Sequence, residues 1–210
     1  MKKIISTLAA IFVFSLVLVG SVFALDLSDD EIENIVERSW QYVAMYNVNN
    51  KIVMAPNNPY NPGGFNRLKA NTALVDHTLQ IIARPNNDTL YIAGLFDLTH
   101  EPMILDAPAF DSRYVSLMVT GYDHYVNIPM STTKGDFSKP SRVLLYTERT
   151  KGYDGAPVKG VDKIAKMTGD FVSVVYRVMP HAAEPERLQR NLKSMKQIKA
   201  LSLSEYQSGI

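Results

Sequence analysis

The order of apolar and polar residues changes period once along the chain. In "SDDEIENIVERSWQYVAMYNV", Ile32, Ile35, Val36, Trp40, Val43 and Ala44 recur at helical spacing and share one face. Ser28 followed by Glu31 is a capping-box pair, and the acids of the first turn suit a helix N-terminus. The pattern predicts a helix near residues 29–47 with that face packed on the rest of the domain. "PNNPYNPGG", residues 56–64, is too rich in Pro, Asn and Gly for helix or strand and predicts an irregular loop. Residues 65–76 read as a short helix or further loop. The period then falls to two. "HTLQIIA", "LYIAGLFDL", "MILDAP", "RYVSLMVTGY", "YVNIPM", "RVLLYTE" and "DFVSVVYRVM" are short β-branched and aromatic runs separated by turn residues. Seven candidate strands with little helical text between them predict an antiparallel sheet rather than a parallel doubly wound one. "KGYDGAPVKG" reads as a surface loop, and "VDKIAKMTG" as a short helix ended by Gly169. In "EPERLQRNLKSMKQIKAL", Leu188, Leu192, Met195, Ile198 and Leu201 line one face and Arg187, Arg190, Lys193, Lys196 and Lys199 the other, with Pro185 in the first turn. The expected class is α+β: a mainly antiparallel β-sheet or sandwich domain with N-terminal and C-terminal flanking helices.

The N-terminus changes the picture of where this domain works. Lys2 and Lys3 precede a long apolar run, and Val22-Phe23-Ala24 supplies small residues at the positions a signal peptidase reads. Residues 1–24 are therefore expected to be a cleaved signal peptide and residues 25–210 a single domain, periplasmic or secreted. An uncleaved anchor needs about 20 apolar residues, which this stretch barely reaches. No later stretch is long enough to span a bilayer. The chain has no cysteine, so an exported domain of this kind must be held by packing alone. Losing Lys2 and Lys3 lowers the formal charge from +1 by two, to −1. Near-neutrality argues against nucleic acid as a partner.

Candidate chemistry concentrates in "RPNNDTLY". Arg84, Asn86, Asn87, Asp88, Thr89 and Tyr91 crowd between two apolar runs. As turn chemistry, Asn and Asp cap their own backbone and Pro85 fixes the chain ahead of them. As a site, an acid, a cation and a phenol close together could orient a polar ligand. Asp88 is expected to accept hydrogen bonds from nearby N–H groups, Arg84 or Arg113, which makes the loop structural first. The four histidines, His77, His100, His124 and His181, lack metal-site spacing, and no Cys can join them. No metal is expected from sequence motifs, although a site assembled through space stays open. Nucleophile-elbow and phosphate-loop motifs are missing, and no cofactor is expected. Tyrosines in or beside the strands, including Tyr91, Tyr114, Tyr122 and Tyr125, read as half-buried packing, with an aromatic-lined pocket as the alternative.

"RPNNDTLY", "FDLTHEP", "ILDAP" and "DSRYVSLMVTGYDHY", in that order and spacing, resemble the bacterial domain-of-unknown-function family twelve fifty-four, which usually precedes a partner domain numbered twelve fourteen. The resemblance runs from the first helix to "LSLSEY". It implies a secreted or periplasmic β-rich domain with flanking helices and adds weight to Asn86, Asp88, Thr89, Leu90 and Tyr91, then Arg113, Tyr114 and Asp123. Family members often carry a His shortly after the Phe preceding the motif, whereas Asn66, Arg67 and Leu68 follow Phe65 here. The chain stops at Ile210, where the partner domain would begin. A second domain or polypeptide is therefore expected as a partner, with a small molecule as a further candidate. The favoured function is a non-catalytic binding or assembly module. The alternative is an enzyme, a hydrolase, using Asp88, Tyr91, Arg113 and His124 around a polar pocket; convergence of these four on one cavity discriminates the two.

Overall fold

The computed structural model describes residues 26–58, 60–78 and 86–209. The expected signal peptide and Arg84 lie outside them, as does all of "HTLQIIA" after Thr78. The chain divides into two units, Met1–Trp40 and Gln41–Ile210. Helix α1 (Asp29–Met54) begins in the first and ends in the second. Its start is the expected capping box: Glu31 N–H donates to Ser28 Oγ (3.3 Å), and Ser28 N–H donates back to the Glu31 carboxylate (2.9 Å). Its apolar stripe, expected to be covered, is exposed among the described residues. Ile32, Ile35, Val36, Trp40 and Val43 are exposed, Trp40 to 68%. Helical spacing states which side chains share a face, not what covers that face.

The second unit is built on two sheets. Strands β1 (Lys69–Asn71), β2 (Leu90–Asp97), β3 (Met103–Ala107), β4 (Val115–Gly121), β5 (Val126–Ser131), β6 (Ser141–Tyr146), β7 (Lys163–Lys166) and β8 (Phe171–Val178) are followed by helix α2 (Pro185–Gln197), strand β9 (Lys199–Ser202) and helix α3 (Leu203–Ser208). One sheet runs β1-β2-β8-β4-β5 and is antiparallel throughout. The other runs β7-β6-β3-β9, antiparallel except for the β6–β7 pair. The period-two runs become these strands because alternate residues bury one face. Leu90, Ile92 and Phe96 of β2, Val172, Val174 and Tyr176 of β8, and Leu117 and Val119 of β4 join Met103, Leu105, Val143 and Leu145 of the second sheet in one core. Leu188, Leu192 and Met195 of α2 pack on the same core. The mainly antiparallel α+β architecture is the expected one.

Four assignments change: helix α1 runs past the expected residue 47 to Met54, and Lys69–Asn71, expected as short helix or loop, forms β1 on the edge that β2 offers. "VDKIAKMTG" supplies strand β7, not a helix, because Val143–Tyr146 offers it a parallel partner and residues 147–162 give the long connection such a pair requires. The last helix ends at Gln197: Ile198 turns extended (φ −64°, ψ 129°), and Lys199–Ser202 pairs with β3. Leu201 keeps helical spacing in the sequence, so the change of element left no local mark. Ser202 then caps α3 in a box with Glu205.

The outer face of the five-stranded sheet positions the site. Gln41–Met54 lies on it, held by Tyr46, whose ring meets Tyr122 and Phe171 edge-on at 5.9 and 6.0 Å. Asn66, the residue after Phe65, clamps β2. Its N–H donates to Leu95 O (2.9 Å), its amide to Asp97 O (3.0 Å), and its Oδ1 accepts from Asp97 N–H (2.8 Å). Asn66 has φ +60°, a conformation Asn tolerates better than most residues.

Candidate functional site: a cavity under the first helix

The loop Asn86–Thr89 leads into β2, and its organiser is Asn86. Its Oδ1 accepts from Asp88 N–H (3.0 Å), Thr89 N–H (3.1 Å) and Thr89 Oγ (3.0 Å). Asn87 and Asp88 are exposed, while Thr89 is buried. Among the described residues no donor reaches the Asp88 carboxylate, and Arg113 pairs elsewhere; Arg84, the other expected partner, lies outside them. The amide oxygen sits two and three residues ahead of the N–H groups it holds, where an Asx turn places its acceptor. Asp88 itself is exposed.

Beside this loop lies a cavity of about 360 Å³ between residues 45–52 of α1 and the outer faces of β2, β8 and β4. That volume is at the small end for ligand sites. Its walls are mostly apolar: Met45, Val48, Ile52, Leu95, Met118 and Val175. The polar residues are Asn49, Tyr60, Asn86, Tyr91, Ser173 and Arg177. Strand alternation puts Tyr91, Ala93 and Leu95 of β2, and Ser173, Val175 and Arg177 of β8, on this face, while their neighbours enter the core. Cross-strand register sets Tyr91 opposite Arg177, and Arg177 opposite Ser116. The guanidinium lies 5.5 Å from the centre of the Tyr91 ring, a cation–π contact. Tyr60 meets the same ring edge-on at 6.4 Å. Burial raises the Tyr60 phenol above its ordinary range, nearby Tyr91 adds to this, and the Asn71 hydrogen bond opposes it. Tyr60 therefore presents a neutral hydroxyl.

Two donors of this cavity are buried without a hydrogen-bond partner among the described residues: Arg177 Nε and Asn49 Nδ2. Asn49 is 5% exposed. None of the ion pairs among the described residues involves Arg177. A buried donor left unsatisfied costs about 1–3 kcal/mol, more when charged. Such groups on the wall of an apolar cavity call for an acceptor.

The other sequence candidates scatter. Tyr91 and Asn86 line the cavity, and Asp88 and Asn87 do not. Exposed Arg113 pairs with Glu184 at 3.3 Å. Tyr114 donates to Ser116 Oγ (3.1 Å) and lines a neighbouring trough shared with Lys134 and Arg177. Asp123 accepts from Tyr125 N–H (3.1 Å) in the β4–β5 turn, and His124 Nε2 lies 3.3 Å from Gln41 O. The four groups proposed for a hydrolase therefore do not meet. Among the described residues no three His, Cys, Asp or Glu side chains group as a metal site. No helix among them is long and apolar enough to cross a membrane.

A different trio does come together. Ser112 Oγ lies 3.0 Å from His181 Nε2, and His181 Nδ1 lies 3.5 Å from Glu184 Oε1. The order is that of a nucleophile, base and acid, but the hydrogen bonding is that of a clamp. Arg113 N–H also donates to His181 Nε2 (3.2 Å), and Ser112 Oγ donates to Tyr114 O (3.0 Å). The imidazole is buried, and its accepting lone pair holds backbone. Asp111 bridges Arg187 and Arg190 in the same region, fastening α2 to the loop before β4. Sequence reading missed Arg177, Asn49 and this clamp. The available signal for Arg177 was a lone cation at a period-two position inside the β-branched run "DFVSVVYRVM".

Fold and site define a class: a two-sheet α+β domain carrying an apolar cavity with buried, unpartnered donors. A family model described as "Protein of unknown function (DUF1254)" matches residues 65–200, more than half of the chain, and the protein belongs to that family. No curated protein matches it. The VPA0106 protein from Vibrio parahaemolyticus has a similar fold, with a TM-score of 0.60 at 23% identity over 81% of this chain and 38% of its own. An uncharacterized protein from Burkholderia cenocepacia aligns at a TM-score of 0.37 and 14% identity, over 83% of this chain and 51% of its own. The chain thus spans about half or less of the solved proteins it matches.

Proposed function

We propose that this protein is an exported, non-catalytic binding module that holds a small molecule in the cavity beneath α1. The observation that carries the reading is the cavity of about 360 Å³ with the buried, unpartnered Arg177 Nε and Asn49 Nδ2 on its wall. Scatter of Asp88, Tyr91, Arg113 and His124 removes the support that an enzyme reading drew from them. Export rests on the sequence pattern of residues 1–24, with the mature protein beginning at Leu25 in the periplasm. A partner polypeptide remains part of the proposal, supported by the greater length of the Vibrio protein and by the exposed stripe Ile32, Val36 and Trp40.

Native mass spectrometry of the mature protein after incubation with cell extract tests the binding reading. The expected result is a small bound mass that is lost in Ala93→Phe, which fills the cavity. Turnover of an extract metabolite that survives Ala93→Phe, with no bound species, would reverse the ranking in favour of an enzyme. N-terminal sequencing of the exported species reads the processing site directly, and a start at Met1 would overturn it.

A further inference from the structure

Resting on that binding reading, we infer that the ligand is a small amphipathic monoanion, a medium-chain aliphatic carboxylate, with its carboxylate at Arg177 and its chain along the apolar wall. Three observations choose this chemistry. The first is charge: among the described residues that line the cavity, Arg177 is the one cation and none is a carboxylate. A bound monoanion neutralises the site, whereas an alcohol leaves the guanidinium uncompensated and an amine repels it. A phosphate dianion would call for a second cation, and among the described residues Lys134 lines the neighbouring trough rather than this cavity.

The second observation is the supply of donors. Arg177 Nε and Asn49 Nδ2 are buried and unused, and both are donors, so the missing partner is an acceptor. A guanidinium held against the Tyr91 ring at 5.5 Å is already oriented, which lowers the entropy cost of forming the pair. The third is shape. Met45, Val48, Ile52, Leu95, Met118 and Val175 form an apolar stretch of wall that a hydrocarbon chain can cover and against which the hydroxyls of a sugar would be left unpaired. Met45 and Met118 adapt readily to a flexible chain. At roughly 30 Å³ for each water-sized group, the cavity holds about a dozen non-hydrogen atoms, close to the size of octanoate.

The test is a calorimetric titration of the mature protein with octanoate, octan-1-ol and octylammonium. Octanoate is expected to bind at least about tenfold more tightly than octan-1-ol, and octylammonium not to bind. In Arg177→Met, confirmed folded by circular dichroism, the preference for octanoate over octan-1-ol is expected to vanish. Equal binding of octanoate and octan-1-ol by the native protein would overturn the carboxylate inference yet leave the cavity reading standing. Binding that persists unchanged in Ala93→Phe would place the ligand elsewhere and overturn the inference. Failure of all three probes to bind overturns the inference, and the mass-spectrometric test then decides the binding reading separately.

Discussion

Asn86→Ala measures how much the loop "NNDT" depends on one amide oxygen. That oxygen accepts three hydrogen bonds, from Asp88 N–H, Thr89 N–H and Thr89 Oγ, at 3.0 to 3.1 Å. The three losses are unequal. Asp88 is exposed, so water replaces its partner, and the Thr89 hydroxyl can rotate to another acceptor. The Thr89 N–H cannot: Thr89 is 8% exposed and leads directly into β2 at Leu90. An unsatisfied buried N–H costs about 1–3 kcal/mol, so a total loss near 2 kcal/mol is expected. With a urea slope of about 1–3 kcal/mol/M, the unfolding midpoint falls by roughly 1 M while the slope stays constant. Asp88→Ala removes an exposed carboxylate and should change stability by less than about 0.5 kcal/mol. Asn86→Asp keeps an acceptor oxygen in place and should recover most of the loss. If Asp88→Ala destabilises as much as Asn86→Ala, or if Asn86→Asp recovers nothing, the assignment of the turn to Asn86 is wrong.

Four other expectations follow from the same geometry. Gly94→Ala places a Cβ 2.1 Å from Arg67 O, a backbone atom, so β2 or the segment at Arg67 must shift; overpacking of this kind costs about 1–3 kcal/mol, and thermal unfolding reads it. His181→Ala strands Arg113 N–H and should destabilise by about 1–3 kcal/mol in urea unfolding; Ser112→Ala should leave any background ester hydrolysis untouched, and a specific loss of turnover there would revive the hydrolase. The hydrogen bond from Arg190, with the nearby charge of Arg187, holds the Asp111 carboxyl below its ordinary value of 3.8. A carboxylate with a lowered folded pKa contributes stability above its unfolded value and loses it as pH falls through the folded one. The native protein should therefore lose more stability than Asp111→Asn on acidification below about pH 4, and equal acid sensitivity of the two would refute the pairing.

Sequence alone determined the periodicities and, through them, the class of fold. Alternation in "LYIAGLFDL", "RYVSLMVTGY" and "DFVSVVYRVM" is a local property, because the pleat sends successive side chains to opposite faces. Those runs became β2, β4 and β8, and the Ser28–Glu31 box formed as written. The family was legible from "RPNNDTLY" and the segments after it. Assignments that depend on a distant partner were not legible. Lys163–Lys166 is a strand because β6 offers an edge, and Lys199–Ser202 leaves the helical pattern because β3 offers the other. The stripe of α1 is the converse, an amphipathic face in the text that is exposed among the described residues. The site shows the same division. Tyr91 was picked out by its neighbours in the sequence, whereas Arg177, 86 residues away, faces it only through the β2–β8 register. Asn49 joins them from a helix laid across the sheet. Periodicity is encoded in adjacent residues and survives in the sequence; strand register, and the buried donors it leaves unpaired, exist only once the tertiary structure has formed.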